Sequence, residues 1–131
     1  MQSGSWTFLD YVNGNGVNKI SEWLRSLPIE ARVEFEALLD TLKAKETFGR
    51  PQTGTLRGKC KGLCEFIFKK HKVQYRPLFC YGPGNREVTI LVGVTKKNER
   101  FIPPNACKTA LNRTGEIEAN KKQVVSHVRI S

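Results

Sequence analysis

Residues 63–95 read LCEFIFKKHKVQYRPLFCYGPGNREVTILVGVT, and the period of the apolar side chains in this stretch decides the fold class. From Leu63 to Phe68 the side chains alternate, with Cys64, Phe66 and Phe68 on one side and Leu63, Glu65 and Ile67 on the other. A period of two marks a strand with two unlike faces. Lys69-Lys70-His71-Lys72 reads as a polar turn. Alternation then resumes, with Val73, Tyr75, Phe79 and Tyr81 opposed by Gln74, Arg76, Leu78 and Cys80. Gly82-Pro83-Gly84-Asn85 is a second turn, and Val88, Ile90, Val92 and Val94 form the apolar side of a third strand. Three strands joined by short turns predict an antiparallel meander with one dry and one wet face. Tyr75 and Tyr81 fall on the dry side and are read as core, not as platforms for stacking bases.

Upstream, Trp6–Val12 is rich in aromatic and β-branched residues and reads as a first strand, closed by the turn Asn13-Gly14-Asn15-Gly16. Ile20, Trp23, Leu24 and Leu27 follow helical spacing, and Pro28 ends that helix and can open the next. The second helix places Phe35, Leu38, Leu39 and Leu42 inward and Glu30, Glu34 and Glu36 outward. Downstream, a last helix begins near Pro104, with Ala106, Ala110 and Leu111 inward. Residues 121–131 read either as a strand or as a frayed tail. The expectation is one domain over residues 1–131 of class α+β: an antiparallel sheet, an N-terminal helical hairpin packed on one face, and a C-terminal helix.

The formal net charge is +10, and it is unevenly spread. Residues 1–50 carry six Lys/Arg against seven Asp/Glu, whereas residues 51–131 carry sixteen against five. A near-neutral first part and a strongly basic remainder point to one surface built for a polyanion, and nucleic acid is the polyanion expected. No run approaches the roughly 18 apolar residues of a membrane span, so no membrane partner is expected. The start MQSGSWTFLDYV lacks the basic and apolar regions of a secretory signal. A cytoplasmic location is therefore the expectation.

On the wet face and its edges, Arg57, Lys59, Lys61, Arg76, Lys96, Lys97 and Arg100 gather from distant segments. Cations so arranged can bind successive phosphates, the main source of sequence-independent affinity. Lys70, His71 and Lys72 add backbone contacts from the first turn. Cleavage of RNA by its own 2′-hydroxyl needs a base, cations around the phosphorus and an acid for the leaving oxygen, but no metal or cofactor. Arg76 is the electrostatic candidate, because guanidinium stays charged and grips a phosphate at two points. Lys96 or Lys97, in a lysine cluster, could exchange protons. Glu65, one strand away from Arg76, is either a base or the carboxylate that holds the arginine in place. His127, in the tail, is given no role. Cys60, Cys64, Cys80 and Cys107 could form a zinc set or two disulfides; their spacing favours buried free thiols that bind no metal.

The order of Leu56-Arg57-Gly58, Gly62-Leu63-Cys64-Glu65, Tyr75-Arg76, Val94-Thr95-Lys96-Lys97 and the helix Pro104–Arg113 resembles the HigB/RelE toxin family, in its HigB-like and phage-encoded branch. The resemblance covers roughly residues 6–115. It implies a RelE-like (microbial RNase-like) fold and the toxin role of a type II toxin–antitoxin system. It further implies ribosome-dependent cleavage of mRNA, inhibition of translation, and a cognate helix-turn-helix antitoxin of the HigA kind. By the same resemblance Arg76 is the phosphate-gripping arginine, Lys97 with Lys96 beside it the catalytic basic position, and Glu65 the family's strand glutamate. Two positions depart from the pattern. Ile67 stands where a cation is expected, and no Tyr or His follows Lys97 as a general base. A non-catalytic module binding RNA or ribosome, and a ParE-type inhibitor of DNA gyrase, are the other readings of this chain.

Overall fold

The computed structural model describes residues 5–130. Met1–Gly4 and Ser131, which the expected domain span includes, lie outside the described residues. The chain forms β1 (Thr7–Tyr11), α1 (Lys19–Arg25), α2 (Ile29–Lys43), β2 (Thr53–Thr55) and a single 3-10 turn (Gly58–Cys60). It continues through β3 (Cys64–Phe66), β4 (Phe68–Lys70), β5 (Val73–Tyr75), β6 (Leu78–Tyr81) and β7 (Glu87–Val92). It ends with β8 (Thr95–Lys97), β9 (Arg100–Ile102), α3 (Ala106–Ala119) and β10 (Val124–Ser126). The class is mixed α+β, as the alternating and helical periods predict.

The helical hairpin follows from its local chemistry. Asn18 caps α1, its side-chain oxygen accepting from Ile20 N at 3.0 Å and Ser21 N at 2.9 Å. Pro28 sits at the start of α2, where its missing N–H leaves no bond unmade. Ile20, Leu24, Ala31, Phe35, Leu39 and Leu42 are buried against one face of the sheet, on Phe66, Phe68, Tyr75, Phe79, Val88 and Ile90. Each large side chain here contributes about 1.5–3 kcal/mol by leaving water.

The sheet itself differs from a simple meander in four ways. First, the strands form a six-stranded sheet of order β10-β1-β7-β6-β3-β2 and a four-stranded sheet of order β4-β5-β8-β9. Each long expected strand bends and passes from one sheet to the other. Pro77 accounts for the break between β5 and β6, since it has no N–H to donate to a ladder; its carbonyl accepts from Phe66 N at 2.9 Å. Second, β1 pairs with β7 in parallel while the remaining pairings are antiparallel. Third, the register between β6 and β7 shifts, Leu78 facing Val92 and Phe79 facing Ile90, so Leu91 is an extra residue. That bulge reverses the alternation. Val88 and Ile90 join the core under α1 and α2, whereas Leu91, Val92 and Val94 join the opposite one.

Fourth, the face expected to be wet is largely covered. Ala106, Ala110 and Ile117 of α3 lie on Leu63, Leu78, Leu91, Val92 and Val94. Arg113 reinforces the contact: its Nη1 donates to Leu91 O at 2.7 Å, and its guanidinium lies 4.6 Å from the Tyr11 ring centroid. Tyr11 in turn donates to Glu116 Oε1 at 2.7 Å. Leu111, expected inward, is exposed.

Further expectations are corrected by long-range pairings. Cys60 and Cys107 form a disulfide tying the 3-10 turn to α3, with Cα atoms 5.1 Å apart; Cys64 and Cys80 are free. Tyr81 is 51% exposed, at the rim of an aromatic group with Trp6, Phe48 and Phe79. Glu36 is buried, not outward, and His127 is the reason. Its Nδ1 lies 2.8 Å from Asp10 Oδ1 and its Nε2 lies 2.9 Å from Glu36 Oε2. Burial alone would push the imidazole down, but the hydrogen bonds and charges of the two carboxylates outweigh it and raise its pKa to about 9. The segment after α3 is thus paired to β1 through β10 and pinned by a buried charged group.

Candidate functional site

The four-stranded sheet is two hairpins side by side. Lys70 faces Val73 across one tip and Lys97 faces Arg100 across the other, and Gln74 pairs with Lys96 between them. Both tips therefore project from the same end. At the first, His71 (φ 50°) and Lys72 (φ 65°) occupy left-handed positions; at the second, Asn98 (φ 51°) and Glu99 (φ 62°) do. Paired left-handed residues are what a two-residue hairpin loop needs, though glycine or asparagine usually supplies them. His71, Lys72, Lys97 and Arg100 are exposed at these tips, and Lys70 is partly buried.

Register decides which basic residues meet. In an antiparallel ladder paired residues share a face and neighbours along a strand alternate. Gln74 and Lys96 thus share the face of Arg76, whereas Lys97 and Arg100 lie on the other. On the first face stands Glu65, buried in β3. Arg76 Nε lies 3.7 Å from Glu65 Oε1, its Nη2 donates to Gln74 Oε1 at 2.9 Å, and its Nη1 donates to Tyr75 O at 3.1 Å. Its own N–H donates to Val94 O at 2.8 Å, fixing the backbone at the strand break. Arg76 is held rather than standing on an open face, with a side-chain exposure of 14%.

Glu65 is the unusual group. Its Oε1 is buried and has no hydrogen-bond partner. Burial pushes its carboxyl up from the ordinary value, and the charges of Arg76, Lys96 and Arg50 oppose that rise without cancelling it. Lys96 Nζ also lies 3.4 Å from Glu99 Oε2, at a side chain that is itself exposed. The arrangement is a poorly satisfied carboxylate ringed by cations from separate parts of the chain. Such a group can move a proton, and the cations around it can hold a phosphate.

The remaining basic candidates are not brought to this point. Arg57, Lys59 and Lys61 are exposed on the loop joining β2 to β3, at the far end of the strand from the hairpin tips. From Cys64 to Lys70 the chain can span at most about 20 Å, at about 3.3 Å per residue, and its bend between the two sheets shortens that. The basic residues form two groups with the Glu65–Arg76 pair between them. Sequence reasoning missed Gln74, which orients Arg76, and Arg50, which reaches Glu65 from the loop before β2. A signal for the latter is Gly54, a glycine that pairs with Glu65 inside β2, since glycine in a strand often marks a close approach.

A family model described as Phage derived protein Gp49-like (DUF891) matches residues 22–114. The match runs from α1 into α3 and contains Arg50, Glu65, Arg76 and Lys96. No curated protein and no solved structure matches the chain.

Proposed function

The chain belongs to the phage-derived Gp49-like family, a toxin-like family of toxin–antitoxin systems, and from that premise we propose that it is a ribosome-dependent mRNA endoribonuclease that arrests translation. The observation that carries the proposal is the buried Glu65 carboxylate beside the held Arg76, with Lys96 on the same face. The sheet and helices are read as a RelE-like arrangement, and a cognate antitoxin of the HigA kind is the proposed partner. No described helix is long and apolar enough to cross a membrane, and the proposed place of action is the cytoplasm.

In this reading RNA is cut by its own 2′-oxygen. Glu65, as carboxylate, takes the 2′-hydroxyl proton while the oxygen attacks phosphorus. Arg76 and Lys96 neutralise the charge gathering on the non-bridging oxygens. The bond from phosphorus to the 5′-oxygen breaks, and Lys96 returns a proton to that oxygen. The products are a 2′,3′-cyclic phosphate and a 5′-hydroxyl. A raised carboxyl pKa brings Glu65 nearer the range where a base works best. Arg57, Lys59 and Lys61 at one end, and Lys70, His71, Lys72, Lys97 and Arg100 at the other, are proposed to track the RNA and ribosomal backbone.

Mapping mRNA 5′ ends after brief induction tests this. The expected result is 5′-hydroxyl ends within translated frames. Loss of DNA supercoiling before any loss of translation would replace the proposal with gyrase inhibition. Arrested translation on uncut mRNA would leave a binding module only.

A further inference from the structure

We propose that Arg50 is a third phosphate-binding cation of this site, reaching the same RNA phosphodiester as Arg76 and Lys96; the inference rests on the cleavage reading above. Arg50 lies in the loop before β2, far from Arg76 and Lys96 in sequence. Its guanidinium nevertheless arrives at Glu65, because Gly54 leaves room for it. In β2, Gly54 is the residue paired with Glu65. A Cβ placed on Gly54 would stand 3.2 Å from Arg50 Nη2 and 3.3 Å from Glu65 Oε2. The two charged ends therefore converge over the one position of that strand with no side chain. Arg76 Nε lies 3.7 Å from Oε1 of the same carboxylate, and the charges of both arginines act on Glu65.

Two further observations fit a ligand-facing role. Among the described residues, no hydrogen bond or ion pair within 4 Å engages the Arg50 guanidinium, and the residue is exposed, so its donors are available. The loop is also fixed in place: Ile67 N, next but one to Glu65 on its strand, donates to Gln52 O at 2.8 Å, and Thr53 N donates to Gly49 O at 3.1 Å. Ile67 itself brings no charge to this side. A planar guanidinium with free donors, held beside a buried carboxylate and a second arginine, is matched to a tetrahedral phosphate that bridges the two cations.

The test compares Arg50→Ala, Arg50→Lys, Gly54→Ala and Arg76→Ala in the full chain. Single-turnover cleavage of ribosome-bound mRNA is read together with the Glu65 carboxyl titration by carbon-13 NMR. Arg50→Ala should slow cleavage on the order of 100-fold, the scale for one positioned donor, and move the Glu65 titration to higher pH. Arg50→Lys should recover part of the rate, since it keeps the charge but not the fork. Gly54→Ala, whose methyl group enters between Arg50 and Glu65, should slow cleavage in the same direction with little change in melting. If Arg50→Ala cuts within twofold of the unsubstituted protein while Arg76→Ala is inactive, the Arg50 proposal is overturned and the cleavage reading stands. If the unsubstituted protein cuts nothing on the ribosome, the reading and the Arg50 proposal fall together, whatever the titration gives.

Discussion

His127 Nε2 lies 2.9 Å from Glu36 Oε2, joining the segment after α3 to the middle of α2 across a sequence separation of 91 residues. Its other nitrogen lies 2.8 Å from Asp10 Oδ1 in β1, and Asp10 also accepts from Asn18 Nδ2 at 2.9 Å. One imidazolium therefore holds together the last strand, the first strand, the helical hairpin and the α1 cap. It is the charge that makes two buried carboxylates tolerable.

A stability profile follows from that group. The folded pKa of His127 is raised to about 9, whereas an unfolded histidine titrates near 6.5. Its contribution is therefore complete below about pH 6.5, declines between there and pH 9, and is gone above that. Chemical denaturation at pH 6 and pH 9.5 should show the loss as a lower midpoint at the higher pH. His127→Ala should remove the dependence and destabilise the fold by about 3–5 kcal/mol, because it strands Asp10 and Glu36 without a counter-charge. A variant that melts like the parent at both pH values would contradict this.

The disulfide makes a second prediction. Cys60 and Cys107 are 47 residues apart in sequence, and closing a loop of that length in the unfolded chain is worth about 4 kcal/mol in the loop-entropy view. Cys107→Ser, or reduction of the parent, should lower the melting temperature while α1, α2 and their core stay intact. The test is melting with and without reductant, followed by circular dichroism. Equal melting in both would show that α3 is held by Arg113 and its apolar contacts alone.

Lys96 and Lys97 should separate. Lys96 shares a face with Gln74 and Arg76, and Lys97 lies on the other with Arg100. Lys96→Ala should therefore slow the cleavage step itself. Lys97→Ala should weaken binding in a salt-dependent way, with the chemical rate at saturation little changed. Saturating and sub-saturating single-turnover rates on ribosome-bound mRNA distinguish the two. A larger loss at saturation for Lys97→Ala would move the reacting phosphate to the opposite face.

What the sequence revealed and concealed has a physical pattern. The helical hairpin is legible because Pro28 sits between two stripes of helical spacing, and Tyr75 is legible as core because alternation places it on the dry side. Glu65, Arg76 and Lys96 come together because short hairpins fix register locally. Events that one residue decides were not legible. Leu91 as an extra residue reversed the side on which Val92 and Val94 lie, and Pro77 broke a strand that alternation alone would continue. Pairings between distant segments were equally hidden. Periodicity contains nothing that brings Arg50 to Glu65, His127 to Asp10 and Glu36, or Cys60 to Cys107. The face expected to be wet was covered because Ile117, a full three turns into α3, completes an apolar stripe that Ala106 and Ala110 begin weakly.

Whether Arg76 and Glu65 carry out RNA cleavage is decided by single-turnover cleavage of ribosome-bound mRNA by the parent, Arg76→Ala and Glu65→Gln. Thermal melting of each variant is measured in parallel, because Arg76 is held by Glu65, Gln74 and Tyr75 and its removal will soften the site. Arg76→Ala should lose at least about 100-fold in rate, close to 3 kcal/mol of transition-state stabilisation. Glu65→Gln, which keeps the shape but cannot take a proton, should lose a similar factor, and the acid limb of the parent's pH–rate profile should lie above the ordinary carboxylate range. Two folded variants that still cut at near the parent rate would contradict the account.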